Sequence, residues 1–77
     1  LASNNIAIGY RAADNISTGN NNIVIGHDID APLAYENNQL NIGNLIYGNG
    51  IDGSANTIST GNIGIATQSP AAKLGIK

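Results

Sequence analysis

Seventy-seven residues without cysteine, tryptophan, phenylalanine or methionine, and with only three tyrosines, cannot build a large core or a disulfide framework. A net charge of −2 with 10% charged residues excludes the basic footprint of a nucleic-acid binder, and no apolar run approaches the roughly 20 residues of a membrane-spanning helix. A domain this small needs help beyond its own core, and with no disulfide and no clear metal cluster the remaining route is oligomerisation.

The first element is a short strand over Ile6–Ile8, set in Asn4-Asn5-Ile6-Ala7-Ile8-Gly9. The motif returns 17 residues later as Asn21-Asn22-Ile23-Val24-Ile25-Gly26, and after another 17 as Asn38-Gln39-Leu40-Asn41-Ile42-Gly43. A fixed period signals one structural unit stacked repeatedly, each copy burying its apolar face on a neighbour. Within each copy the apolar spacing is two, which places Ile6 and Ile8, Ile23 and Ile25, and Leu40 and Ile42 on one face. Ala7, Val24 and Asn41 face the other way. Gly9, Gly26 and Gly43 close the strands as corners that permit positive φ. Asn-rich turns such as Gly19-Asn20-Asn21-Asn22 lead into them and tolerate left-handed backbone.

Between the repeats, Ala12–Asp14 and Ala31–Glu36 offer at most one helical turn each, and residues 31–37 read as an irregular insertion in the repeat region 1–43. Pro32 lacks a backbone donor and belongs at a boundary. Residues 44–77 read as a second part. It opens with a hairpin whose arms are Leu45-Ile46-Tyr47 and Thr57-Ile58-Ser59, with Asn49-Gly50 and Asp52-Gly53 as turn signals. A fourth, degenerate copy follows as Asn62-Ile63-Gly64-Ile65-Ala66, then a break at Ser69-Pro70 and a short run to Ile76.

The expected fold is therefore all-β, made of repetitive short strands. Its apolar stripe, Ile6, Ile8, Ile23, Ile25, Leu40, Ile42, Ile63 and Ile65, is too thin to close within one chain and fits the core of an assembly. Burying one isoleucine contributes about 1.5–3 kcal/mol, so eight such positions favour an obligate oligomer.

Asn5-Ile6-Ala7-Ile8-Gly9-Tyr10-Arg11-Ala12-Ala13 resembles the repeats of bacteriophage tail fibres and of trimeric autotransporter adhesin heads. The series 41–48, 58–65 and 69–74 is similar to the fibre stretch that precedes a C-terminal intramolecular chaperone domain. The resemblance implies a homotrimer in an interwoven β-helix or β-prism, with the eight Ile and Leu positions on the threefold axis. It implies a structural segment of a virion's tail fibre, shaft or receptor-binding tip, engaged in host attachment. The alternative it implies is a bacterial surface adhesin head that binds host matrix or glycans. Neither reading requires a cofactor, nucleic acid or a membrane contact. The resemblance also implies a fragment of a longer protein, in keeping with a chain that starts inside a repeat. Two positions depart from the pattern: Ala66 stands where the family has Gly, which predicts a different turn there, and Gly75 stands where a polar residue is usual.

Candidate chemistry is sparse. His27-Asp28 with Asp30 holds catalytic ingredients but no nucleophile context, and lacks metal-ligand spacing. An enzyme is not expected. Gly48–Gly53 carries one copy of a calcium-repeat-like pattern where stacked copies are needed, and Asn15-Ile16-Ser17 is a sequon in an Asn-rich chain. Tyr35, Tyr10 and the adjoining Arg11 are the candidate contacts to a receptor or glycan, and Tyr47 reads as packing. A monomeric β-solenoid with a repeated Thr face is a third reading; Thr18, Thr57, Thr60 and Thr67 do not follow the 17-residue step.

Overall fold

A computed structural model describes residues 2–77. It contains six strands and no helix: β1 (Ile6–Ile8), β2 (Ile23–Ile25), β3 (Leu40–Ile42), β4 (Ile46–Asn49), β5 (Asn62–Ile65) and β6 (Leu74–Ile76). They form one sheet in sequence order. The pairs β1–β2, β2–β3 and β5–β6 are parallel, and β4 runs antiparallel between β3 and β5.

The 17-residue step is the parallel register: Ile6 stands beside Ile23 and Ile23 beside Leu40. Each step is one coil, in which a three-residue strand is followed by a loop that passes beneath the sheet. Asn4, Asn21 and Asn38 enter the strands at φ 58°, 60° and 61°, the left-handed geometry that asparagine tolerates. Gly9 and Gly26 leave at φ 124° and 141°, and a side chain at Gly9 would strike the Gly26 carbonyl stacked on it.

The residues read as an insertion, 31–37, are regular. They stack one coil on from residues 14–20: Ser17 N donates to Ala34 O at 3.0 Å, and Asn20 N to Asn37 Oδ1 at 2.7 Å. Side-chain amides tie the coils internally in the same phase. Asn5 Nδ2 donates to Gly19 O at 3.0 Å, and Asn22 Nδ2 to Glu36 O at 3.1 Å, both 14 residues downstream. The unusual composition of 31–37 hid a repeated hydrogen-bond pattern.

The expected hairpin is also corrected. β4 pairs with β3 across Gly43-Asn44-Leu45, and its other partner is β5. Thr57–Ser59 forms no strand; it lies in the loop 50–61, with Ile58 exposed. Side chains close this loop where the reading placed a ladder. Asp52 accepts from Thr60 N at 2.8 Å and Thr60 Oγ1 at 2.7 Å, while Gly53 N donates to Ser59 Oγ at 2.8 Å. At its neck, Gly61 N reaches Gly50 O at 3.0 Å.

The interior lies under the sheet. Val24 is wholly buried with Ile29 and Ala31, and Ala12, Ala13 and Ile16 pack against them. Where the coils give way to the antiparallel hairpin, Asn41 takes the column position of Val24. Its Nδ2 donates to Asp30 O at 2.7 Å and to Asn44 Oδ1 at 2.9 Å, and its Oδ1 accepts from Asn44 N at 3.0 Å. Ala66 adopts φ 62°, so alanine takes up the left-handed geometry whose cost underlay the expectation of a different turn. Gly75 lacks a side chain for a reason of space, since a Cβ there would stand 2.7 Å from that of Pro70.

Candidate functional site

Strand register builds a two-row aliphatic surface. One row runs Ile6, Ile23, Leu40, Gly48, Ile63, Leu74; the other runs Ile8, Ile25, Ile42, Ile46, Ile65, Ile76. Because strand side chains alternate, both rows project from the same face. The intervening row, Ala7, Val24, Asn41, Tyr47, Gly64 and Gly75, points to the opposite face, where Val24, Asn41, Tyr47 and Gly64 are buried. The eight stripe positions predicted from the sequence are thus brought together, joined by Ile46, Leu74 and Ile76. Those three carried a legible signal: Leu74-Gly75-Ile76 repeats Ile63-Gly64-Ile65, one strand away.

This face is open in the single chain. Ile8 is 57% exposed and Ile76 is 70% exposed at the two ends, and Ile42, Ile63 and Ile65 are exposed in between. Among the described residues the buried hydrophobic ones are only Val24, Ile29, Ala31 and Tyr47. The chain therefore shows more large aliphatic side chains to solvent than it buries, the reverse of an ordinary small domain. At the gap in the first row, Ile51 folds over: its Cγ2 lies 3.5 Å from where a Gly48 Cβ would stand. Strands about 4.8 Å apart make rows roughly 24 Å long.

The corners form a second column. Tyr10 and His27, one coil apart, stack with ring centroids 5.5 Å apart and planes inclined by 18°. Arg11 Nε donates to Asp14 Oδ2 at 3.1 Å and stands 4.0 Å from Asp28 Oδ1. The hydrogen bond and charge of Asp14, then the charge of Asp28, hold the guanidinium pKa above its ordinary value. Partial desolvation, followed by a hydrogen bond to Asp14, raises the Asp30 carboxyl. Among the described residues no group of three or more His, Asp or Glu side chains could hold a metal ion. His27 stacks on the Tyr10 ring and precedes Asp28, the weaker partner of Arg11.

Tyr10 and Tyr35 are both well exposed, but on different parts of the loop layer; only Tyr10 has Arg11 beside it. Tyr47 is buried on the inner face. The sequon residue Asn15 spends its amide inside the fold, accepting from Ala31 N at 2.9 Å and donating to Ala31 O at 2.8 Å. Asp52, in the calcium-like stretch, is occupied by Thr60. No protein-family model, no curated protein and no solved structure matches the chain.

Proposed function

We propose that this chain is a segment of a homotrimeric fibre, in which three copies pack their aliphatic faces around a common axis parallel to the rows. The observation that carries the reading is the pair of in-register aliphatic rows, exposed on one face of a sheet whose other face already has a core. Three such faces around a threefold axis make a triangular prism with a dry interior. Each consecutive pair of strands is hydrogen-bonded within the chain, so the prism assembles from three complete sheets rather than from interwoven strands. Backbone hydrogen bonds then run along the fibre, and bending it requires stretching them. The resemblance of its repeats to those of phage tail fibres supports the reading of a tail-fibre segment, whose work would be to hold or form a host-attachment tip. The same architecture serves the adhesin-head alternative, with exposed Tyr10 and Tyr35 as its contact residues.

Single cysteines test the packing directly, since the chain has none of its own. With a short bis-maleimide, Ile25→Cys is expected to give covalent dimers of identical chains, and Thr18→Cys in the loop layer is expected to stay monomeric. Cross-linking at Thr18 but not at Ile25 overturns the reading.

A further inference from the structure

Outside the ladder face, one concavity gathers polar groups that the fold does not use. The loop 31–37, the end of β4 and the residues after β5 enclose a cleft of about 350 Å³, lined by Leu33, Glu36, Asn37, Asn49, Gln68 and Ser69, among others. Its size is at the lower end of small-molecule sites, roughly 300–1,000 Å³. The Glu36 carboxylate forms no ion pair or hydrogen bond among the described residues. Asn37 and Asn49 each commit only Oδ1, accepting from Asn20 N at 2.7 Å and from Asn62 N at 3.0 Å. Their Nδ2 groups remain free donors, held in place because the other end of each amide is fixed. Leu33 and its neighbour Pro32 supply an apolar wall.

We propose that this cleft binds a neutral saccharide unit. An unpaired carboxylate acceptor beside two amide donors held by their Oδ1 ends matches a ligand whose neighbouring hydroxyls both donate and accept. A cation would leave the amide donors unpaired. An anion would meet Glu36 with no lysine or arginine in the lining. The apolar wall suits the C–H face of a pyranose. The site is built within one chain and does not rest on the trimer reading.

The test is a nitrogen–proton NMR titration of the protein with methyl α-glucoside and methyl α-galactoside, and with N-acetylneuraminic acid as the anionic comparison. Binding at roughly millimolar affinity should shift the side-chain amides of Asn37, Asn49 and Gln68 with at least one neutral glycoside, and not with the acid. Asn49→Asp keeps the Oδ1 acceptor for Asn62 N and removes the donor; Glu36→Gln removes the charge from an exposed side chain. Each is expected to weaken binding about tenfold or more, one strong hydrogen bond's worth, with the backbone spectrum otherwise preserved. No shift with either glycoside, shifts confined to other residues, or unchanged affinity in both variants overturns the proposal. Equal or tighter binding of the acid does so as well.

Discussion

Asn22 accepts two hydrogen bonds from Gln39, one coil further along the chain: from the backbone N at 2.7 Å and from Nε2 at 3.2 Å. Its own Nδ2 donates to Glu36 O at 3.1 Å, and its backbone N reaches Asn5 Oδ1 at 2.9 Å. The column of Asn5, Asn22 and Gln39 is an amide ladder that locks neighbouring coils in register. Asn22 is wholly buried. Removing its side chain by Asn22→Ala strands Gln39 N in the interior, while Glu36 O keeps its bond from Gln39 Nε2 at 3.2 Å, and should cost about 1–3 kcal/mol. The half-buried counterpart Asn20→Ala, which loses a solvent-exposed bond from Ser3 N at 2.7 Å, should cost about 1 kcal/mol or less. Urea denaturation of the two variants measures the difference.

The corner glycines are not equivalent. Gly9→Ala pushes a Cβ into the Gly26 carbonyl, whereas at Gly43 a Cβ meets nothing within 4 Å. Both have positive φ, 124° and 62°. Gly43→Ala carries only the left-handed backbone penalty, about 1 kcal/mol. Gly9→Ala adds a steric clash between coils and should exceed it by at least about 1–2 kcal/mol. Thermal melts that rank the two the other way contradict the stacking of corners.

At Ala66, φ 62° imposes on alanine a strain that glycine would not carry. Ala66→Gly is expected to stabilise by about 0.5–1 kcal/mol, after allowing for glycine's looser unfolded state. A higher melting temperature is the readout.

Two aspartates shift in opposite directions, and their pH signatures differ. The side-chain and backbone hydrogen bonds from Thr60 hold Asp52 below the ordinary carboxylate range. A folded-state pKa that is depressed adds stability above the unfolded value, and that stability is lost as pH falls through the folded one. Thr60→Val should raise the Asp52 pKa in a carboxyl NMR titration and flatten the acid loss of stability.

Asp30 is raised, chiefly by partial desolvation and then by Asp14. The sign reverses: its ionised form disfavours folding above the folded pKa, and the penalty is gone below the unfolded pKa. Asp30→Asn should therefore raise the melting temperature near about pH 7 and leave it unchanged near about pH 3.

The sequence carried the coil because each step repeats both its strand and its corner. Period-two spacing put Ile6, Ile8, Ile23, Ile25, Leu40, Ile42, Ile63 and Ile65 on one face, and the Asn and Gly positions marked where the backbone turns left-handed. It hid the loop stacking at 31–37, because Ala34 and Glu36 contribute backbone carbonyls, which any residue could supply. It misplaced the partner of β4 because Thr57-Ile58-Ser59 has strand-like composition, while the loop around it is closed by Asp52, Ser59 and Thr60 side chains. The polar cleft was illegible for a related reason: Glu36, Asn49 and Gln68 are far apart in the chain and meet only when β4 and β5 pair.

The mass in solution decides the central claim. Light scattering on the purified chain, repeated on dilution, should give three times 7.8 kDa, about 23 kDa, with β-type circular dichroism. A folded 7.8 kDa monomer, stable with both aliphatic rows in water, would contradict the fibre and favour a lone solenoid.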